Sequence, residues 1–545
     1  MLLLAGAVLL SAAAVYSPAL TFGLITDDRP LLAAIPHWTF AAIPQFFAHH
    51  YWAFINNSAG VIAAYYRPLL LVYDFVVYRS FGALAPAWHA MAILLHVAVT
   101  FLVYRMALAL SGDDTVALSS TALFALDPVH AEAVARASGV SESLTAALVL
   151  ASFLCWLRRS SGRVYSIGAL AFFCLALLTK ETAIMFPAVL LVFELLSRRS
   201  WSAVRSVWLF IAVSLTYLIV RRAVLGGIMN TLMQVPARVM LLTWPSMAIF
   251  YTRHLVWPVP MSYKYPLGLQ TAITGKVILG MVVLAGLMVL AYRIQPFATC
   301  WAVLFLLPVF NLQGMTDLGI VHDRYLYLPS VGFCIVVGTA FRPLYAAHRR
   351  LAIAGGSALL ILLGCMTVAE CRPWREEAPL FKRALELNPD DPVMTRSLVV
   401  ALIRAGECPE AEPVAEQALQ KRDDASLRVS LAGCYLGESR LVEARYQLER
   451  AIAAEPGLST AQLLLAWVHV AEHQFSDAET ELNAIAQAHG TEQPGFHLLR
   501  GRVLESRGDW PGAAAEFRKE LTVNPSSEVA QSELEKAEWQ SRQRP

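Results

Sequence analysis

Long apolar runs alternate with short charged loops over residues 1–370. The first run, 1–24, carries no charged residue and is long enough to cross a bilayer as a helix. Ten more runs predict spans near 88–110, 116–127, 143–157, 164–179, 182–196, 204–220, 274–292, 297–311, 326–341 and 351–369. The pattern therefore predicts an all-α, polytopic membrane bundle of about eleven spans.

Two stretches interrupt this pattern. The segment 25–86 is rich in aromatic residues and histidine, and its mixed polarity is typical of helices that lie along the membrane surface. We interpret it as a first outer loop in which His49-His50 serves packing rather than metal binding. The stretch 239–256 is apolar but contains Trp244-Pro245, and it is expected to lie at the interface or re-enter the membrane.

After residue 370 the sequence becomes charged and helical. Phe381 and Ala384 are typical of the second helix of a truncated repeat. Small residues then recur at spacings of 33, 34 and 35, namely Ala411, Ala444, Ala478 and Ala513. A spacing near 34 with small residues where paired helices touch indicates tetratricopeptide repeats. We predict a repeat α-solenoid over 371–535 and a polar tail over 536–545.

The distribution of basic residues orients the predicted array. They concentrate in four short loops: Arg158, Arg159 and Arg163; Arg198, Arg199 and Arg205; Arg293; and Arg342, His348, Arg349 and Arg350. Short loops rich in Lys and Arg stay cytoplasmic. This orientation puts Asp27, His130, Lys180 and His322 on the outer face. An odd number of spans with a cytoplasmic N-terminus then sends the repeats outside as well.

Composition supports a membrane protein and excludes other classes. The 545-residue chain is 57% hydrophobic, above the roughly 45–50% of soluble proteins. A net charge of +2 without a basic block argues against a nucleic-acid partner. The N-terminus lacks a positively charged region and many spans follow it, so we expect a retained first span rather than a cleaved signal.

Eight cysteines form no C-x-x-C pair, and no cysteine and histidine cluster of the metal-binding kind is visible. Most of the cysteines lie in apolar runs, where a reduced thiol packs as a small hydrophobe. Only Cys408 and Cys434 are candidates for a bridge, and the sequence leaves open whether they pair. No ligand set demands a metal, and a divalent ion near Asp27 and Asp28 stays an open alternative.

Charged residues from distant segments are predicted to share the outer face. Asp27-Asp28 follows the first span directly, and Lys180-Glu181 interrupts almost continuous apolar sequence. The others are Arg67, Asp127, His130, Glu132, Asp317, His322, Asp323 and Arg324. Charges at this depth usually serve a site. The alternative is ordinary loop polarity together with side chains that extend to the membrane surface.

Five motifs carry a resemblance to a known family. They are Asp27-Asp28 after the first span, YRPL at 66–69, DPVHAEAV at 127–134 with Ser138-Gly139, TKET at 179–182, and Asn311 followed by HDRYLYLPSVGFC at 322–334. Together with the repeats they cover nearly the whole chain. The chain resembles the transmembrane and tetratricopeptide-repeat protein O-mannosyltransferases and their bacterial relatives, which have the GT-C glycosyltransferase architecture. Asp127 and the order of His322-Asp323 depart from the family pattern and leave the sugar open.

The resemblance implies transfer of a mannose-like sugar from a polyprenyl-phosphate carrier to a hydroxyl, with Ser or Thr of a protein as the expected acceptor. It also implies a base from the first outer loop, so Asp27 or Asp28 is expected to take the proton of the hydroxyl. An ionised phosphate leaving group needs cations rather than an acid, and Arg67, Lys180 and Arg324 are candidates. The other expected substrate-binding residues are His130, Glu132, Glu181, His322, Asp323 and Tyr325.

Two other functions remain alternatives at this point. The first is a membrane-anchored repeat scaffold for envelope protein assembly, in which the membrane half is inactive. The second is a transporter of polyprenyl-linked sugars, against which the odd span number and the lack of inverted halves count. For the transferase we expect a multi-pass protein of a bacterial inner membrane, with the lipid bilayer, the lipid-linked sugar and a peptide held by the repeats as partners.

Overall fold

The structure, a computed structural model, describes residues 2–54, 65–198, 203–227, 234–314, 319–525 and 527–543. All regular secondary structure in these ranges is helical, which confirms the predicted all-α class. Arg199, Asp317, part of the 25–86 loop and the end of the polar tail lie outside them. The chain forms two compact units, Met1–Asn388 and Pro389–Pro545, where the sequence predicted a boundary at 370.

The first unit contains seventeen α-helices among its described residues. They are α1 (Leu2–Tyr16), α2 (Asp28–Ala34), α3 (Ile43–Phe46), α4 (Pro68–Phe81), α5 (Ala85–Ser111), α6 (Asp114–Leu126), α7 (Ala131–Ala135), α8 (Val140–Leu157), α9 (Arg163–Thr179), α10 (Phe186–Arg198), α11 (Ala203–Leu225), α12 (Ala237–Val256), α13 (Gly275–Ile294), α14 (Pro296–Leu306), α15 (Tyr327–Ala347), α16 (Arg349–Cys371) and α17 (Glu377–Leu387).

Seven described helical segments are long and apolar enough to cross a membrane. They are Leu3–Thr21, Ala85–Ser111, Ala137–Leu157, Val207–Leu225, Gly275–Ile294, Asp323–Ala347 and Arg349–Arg375. The other four predicted spans coincide with the shorter helices α6, α9, α10 and α14. Helix α12, which contains Pro245, is not among the seven.

Helix α15 packs closely against α14 and α6 because glycines face both neighbours. A Cβ atom at Gly332 would lie 2.2 Å from the carbonyl oxygen of Ala298, and one at Gly338 would lie 2.2 Å from Ser120 Oγ. Small residues let helix backbones approach in this way inside membranes. This packing fixes the N-terminal end of α15, which begins directly after the 322–326 segment.

The second unit is a stack of helix pairs. Its helices are α18 (Pro392–Arg404), α19 (Cys408–Lys421), α20 (Ala425–Gly437), α21 (Leu441–Ala454), α22 (Ser459–Ala471), α23 (Phe475–His489), α24 (Phe496–Ser506), α25 (Trp510–Val523) and α26 (Glu528–Gln543). The four periodic alanines lie in α19, α21, α23 and α25, and all are completely buried. A disulfide joins Cys408 of α19 to Cys434 of α20. Helix α17, with Phe381 and Ala384 buried, belongs to the first unit.

The close approach at Gly332 gives a stability prediction. Gly332→Ala is expected to lower the thermal unfolding temperature of the purified protein, because the added methyl overlaps backbone that cannot move away as a side chain could. Gly355→Ala is the matched control, since nothing lies within 4 Å of a Cβ built at that helical glycine. Equal unfolding temperatures for both variants, measured by intrinsic fluorescence in detergent, would contradict this packing.

Candidate active site

The two adjacent acids of the doublet have different surroundings. Asp28, the first residue of α2, is buried, and its two oxygens accept hydrogen bonds from the backbone N–H groups of Ile25 (3.1 Å) and Ser138 (2.8 Å). The Asp27 side chain is 47% exposed and forms an ion pair with Arg136 at 3.6 Å. Asp28 therefore ties the 25–86 loop to the turn before α8, while Asp27 keeps a solvent-facing carboxylate.

Arg67 forms a two-bonded pair with Glu181. Its Nε donates to Oε2 at 3.1 Å and its Nη2 donates to Oε1 at 2.7 Å. Although burial raises the pKa of Glu181, the guanidinium lowers it to about 2, so the carboxylate is ionised at neutral pH. The ring of Tyr65 lies under the guanidinium, 4.2 Å from its central carbon. This pair joins the segment before α4 to the segment after α9.

Lys180 pairs with Glu142, which lies in the first turn of α8. Both side chains are buried. Burial lowers the pKa of Lys180, and the Glu142 carboxylate raises it, because a buried charge is stabilised by an opposite charge. Lys180 Nζ also lies 5.3 Å from the centre of the Tyr325 ring.

Arg324 pairs with Glu132 from helix α7. The Arg324 guanidinium and its backbone N–H each donate to one oxygen of Glu132, the latter at 3.0 Å. Glu132 is buried, and although burial raises its pKa, the Arg324 charge produces a net lowering. The central carbon of the Arg324 guanidinium lies 5.2 Å from the centre of the Tyr325 ring. Both Lys180 and Arg324 thus border the Tyr325 ring.

The pKa values of two buried tyrosines respond to charges of both the doublet and the cations. Burial raises the pKa of Tyr51, and Asp27 raises it further while Arg67 lowers it. Burial also raises the pKa of Tyr263 to about 12, with Asp27 raising it and Arg324 lowering it. Arg136, the partner of Asp27, directly follows helix α7, and α7 carries Glu132, the partner of Arg324. Asp27 therefore lies near the Arg324–Glu132 pair.

Three of the predicted substrate-binding residues are buried. His130 is completely buried and its Nε2 lies 2.8 Å from Ser330 Oγ. His322 is buried, which lowers its pKa to about 3, so its ring is neutral at pH 7. Asp323 is buried and accepts a hydrogen bond from the Tyr265 hydroxyl. These three side chains are therefore buried in the protein rather than exposed at an open surface.

Sequence reasoning missed Arg136, Glu142 and Asp74. Arg136 and Glu142 lie in the stretch 131–145, which mixes small, polar and apolar residues, so no continuous apolar run marks them as it marks Lys180. Asp74 is buried in α4 and accepts a hydrogen bond from the Tyr51 hydroxyl at 3.3 Å. Among the residues that the structure describes, no three His, Cys, Asp or Glu side chains group as metal ligands.

Comparison with known proteins matches both halves of the chain. Two tetratricopeptide-repeat family models match residues 396–459 and 435–503. Protein O-mannosyl-transferase F38B6.6 of Caenorhabditis elegans is 23% identical over 365 residues, which is 63% of this chain and 52% of the relative. Protein O-mannosyl-transferase TMTC3 of Mus musculus is 24% identical over 445 residues, which is 71% of this chain and 48% of the relative. The resemblance to the protein O-mannosyl-transferases is confirmed.

The second unit is a tetratricopeptide-repeat array. The chain spans about half the length of the protein O-mannosyl-transferases it matches. Among solved structures, ArnT from Cupriavidus metallidurans in the apo state overlaps with a TM-score of 0.40 and 17% identity, over 85% of this chain and 80% of the ArnT chain. An overlap of this size is too low to bear on activity.

The buried Lys180–Glu142 pair gives a second prediction. Glu142→Gln leaves an unpaired buried lysine, a change that typically costs about 3–5 kcal/mol. We expect a lower thermal unfolding temperature for this variant and a partial recovery in the double variant Glu142→Gln/Lys180→Met. Glu479→Gln, which breaks an exposed pair with Arg507, is the control and should change nothing measurable. A double variant less stable than Glu142→Gln would contradict the pairing.

Proposed function

We propose that this protein is a membrane glycosyltransferase that moves a sugar from a polyprenyl-phosphate carrier to a hydroxyl group outside the cytoplasm. The observation that carries the proposal is the cluster itself. The half-exposed carboxylate of Asp27 pairs with Arg136, which directly follows the helix that carries Glu132, the partner of Arg324. Arg324 and Lys180 both border the Tyr325 ring, and Arg67 pairs with Glu181, the residue next to Lys180. Transfer from a phosphate-linked sugar needs these two kinds of group together, a base for the acceptor and cations for the leaving group.

Asp27, rather than Asp28, is the proposed base. Both oxygens of Asp28 are occupied by backbone N–H groups and its side chain is buried, so an acceptor cannot reach it. Asp27 is the more open of the two and keeps an accessible carboxylate beside Arg136. It would take the proton from the acceptor oxygen as that oxygen attacks the anomeric carbon.

The leaving phosphate is the proposed ligand of Arg67, Lys180 and Arg324. The pair with Glu181 uses Nε and Nη2 of Arg67, so the Nη1 edge of the fork stays outside that pair. Arginine binds phosphate oxygens through two donors, whereas lysine acts as a point charge. Cations fixed before the reaction stabilise the charge that develops on the phosphate as its bond to the sugar breaks.

The aromatic faces of Tyr65 and Tyr325 border the cations and suit stacking against the sugar. Glu132 and Glu181 act in this proposal by orienting the arginines. His130, His322 and Asp323 act in this proposal as buried supports of the site and do not bind the substrate directly. Attack from the side opposite the phosphate inverts the configuration of the anomeric carbon.

The sugar and the acceptor are proposed from the relatives. Those proteins are named protein O-mannosyl-transferases, so a mannose-like sugar and Ser or Thr of a protein are the proposed donor group and acceptor. Tetratricopeptide repeats form elongated surfaces that suit an extended peptide. The Cys408–Cys434 disulfide supports repeats outside the cytoplasm, since disulfides persist in oxidising compartments.

Separate substitutions of the doublet test the base. Asp27→Asn is expected to lower kcat for sugar transfer by about 10²–10⁴, the usual contribution of a general base, with an unchanged unfolding temperature. In Asp28→Asn, an amide NH₂ group replaces one of the two oxygens that accept from backbone N–H groups, so one hydrogen bond is lost. This variant is expected to lower the free energy of unfolding by about 1–3 kcal/mol. Transfer of radiolabelled sugar from a polyprenyl-phosphate donor to a Ser/Thr peptide is the measurement.

Full transfer activity of the Asp27→Asn variant would contradict the proposed base. A wild-type protein that neither transfers nor binds the donor but is required for envelope assembly would favour the scaffold. Movement of the lipid-linked sugar across vesicles without an acceptor would favour the transporter.

The proposed orientation has its own test. Alkaline phosphatase fused after Glu376 is expected to be active, because this reporter folds only outside the cytoplasm, and a green fluorescent protein fused there should be dark. The same pair of reporters fused after Arg159 should give the opposite result, since that loop is predicted to be cytoplasmic. A fluorescent fusion after Glu376 would reverse the proposed topology.

A further inference from the structure

The backbone directly before the doublet has an unusual conformation. Thr26 has φ of 51°, in the left-handed region that β-branched residues rarely adopt. Such a conformation persists only where the surroundings hold it, and it is often found at functional sites. Whatever holds Thr26 therefore also sets the direction in which the chain enters Asp27.

Thr26 is held by the turn bond from the Asp28 N–H to the Ile25 carbonyl oxygen at 3.0 Å and, from outside the turn, by Glu377. The N–H of Thr26 donates to Glu377 Oε1 at 3.0 Å, although the two residues are 351 positions apart in sequence. Glu377 is the first residue of α17 and its side chain is buried. Nearby, the N–H of Gly23 donates to the carbonyl oxygen of Arg375 at 3.2 Å. Residues 375–377, at the start of α17, thus hold the doublet loop at two points.

The same carboxylate also contacts Arg29, with Nε 3.2 Å from Glu377 Oε1. The Arg29 side chain is half exposed, and ion pairs of this kind contribute little. The hydrogen bond to the part-buried N–H of Thr26 is the contact through which Glu377 constrains the backbone. The two contacts can be separated by mutation, because Arg29→Gln removes the ion pair and leaves the hydrogen bond.

We propose that Glu377 is a positioning residue for the reaction, acting through Thr26 on Asp27. The inference rests on the proposed function, in which Asp27 is the base. The hydrogen bond from the Ser138 N–H holds Asp28 independently of Glu377. Loss of the Glu377 contact would therefore change the direction of the Asp27 side chain while Asp28 stays in place and the loop stays folded. A small misplacement of a reacting group lowers the rate of the chemical step more than it lowers substrate binding.

The experiment compares kcat and the donor KM of four variants in the transfer assay. Glu377→Ala is expected to lower kcat about 10–100-fold and to leave the donor KM within about twofold. Glu377→Gln retains an oxygen that accepts from Thr26 and should keep most of the activity, as should Arg29→Gln. Thr26→Gly combined with Glu377→Ala should recover most of the lost kcat, because glycine adopts a positive φ without help.

Recovery by Thr26→Gly is the result that a merely structural role of Glu377 would not give. No recovery, or an equal loss in Arg29→Gln and Glu377→Ala, would overturn the proposal. If Glu377→Ala does not fold, Glu377→Asp gives the same comparison, since its shorter side chain keeps the charge and withdraws from Thr26. An active Asp27→Asn would refute the proposed base, whereas an inactive Asp27→Asn with a fully active Glu377→Ala would refute only this inference.

Discussion

The candidate site depends on the pairing of buried charges at a membrane surface. A charge removed from water is costly unless an opposite charge and hydrogen bonds accompany it. The structure meets this requirement pair by pair, with each cation of the cluster facing its own carboxylate: Arg67 with Glu181, Arg136 with Asp27, Lys180 with Glu142, and Arg324 with Glu132. The arrangement keeps cations and a carboxylate in place before any substrate arrives, which is the preorganisation that charge stabilisation in catalysis requires.

These pairs also explain how distant parts of the chain come together. Each of them joins segments that lie 38 to 192 residues apart in sequence. Arg67, Glu142 and Lys180 lie where a long helix begins or ends. The close helix packing around Gly332 holds the N-terminal end of α15, which follows the segment that carries Arg324. The doublet is fixed in a different way, through backbone hydrogen bonds from Ser138 to Asp28 and from Thr26 to Glu377. The backbone is thereby held at Thr26 and at Asp28, the residues on either side of Asp27.

Much of this architecture could be predicted from the sequence because it depends on periodicity. Each apolar run that was predicted to span the membrane contains a helix. The spacing of about 34 residues corresponds to a repeat array in which the alanines at 411, 444, 478 and 513 are all buried. Lys180 could be singled out because a charged residue inside an apolar run is costly to bury and usually serves a site. The partner of Lys180 could not, since Glu142 looks like an ordinary polar residue at the start of a helix until the fold brings the two together.

The roles within the doublet were also beyond the sequence. The sequence alone cannot distinguish two adjacent aspartates. In the structure, hydrogen bonds from the N–H groups of Ile25 and Ser138 distinguish the buried Asp28 from the open Asp27. The contribution of Glu377 depends on a contact across 351 residues and a single positive φ, neither of which leaves a pattern in composition or spacing.

The most direct measurement is an experimental structure of the Asp27→Asn protein with a polyprenyl-phosphate sugar bound. The account predicts density for the phosphate within hydrogen-bonding distance of Arg67, Lys180 and Arg324. The anomeric carbon should then lie between that phosphate and residue 27. A phosphate bound away from these three cations, or residue 27 on the opposite membrane surface, would contradict it.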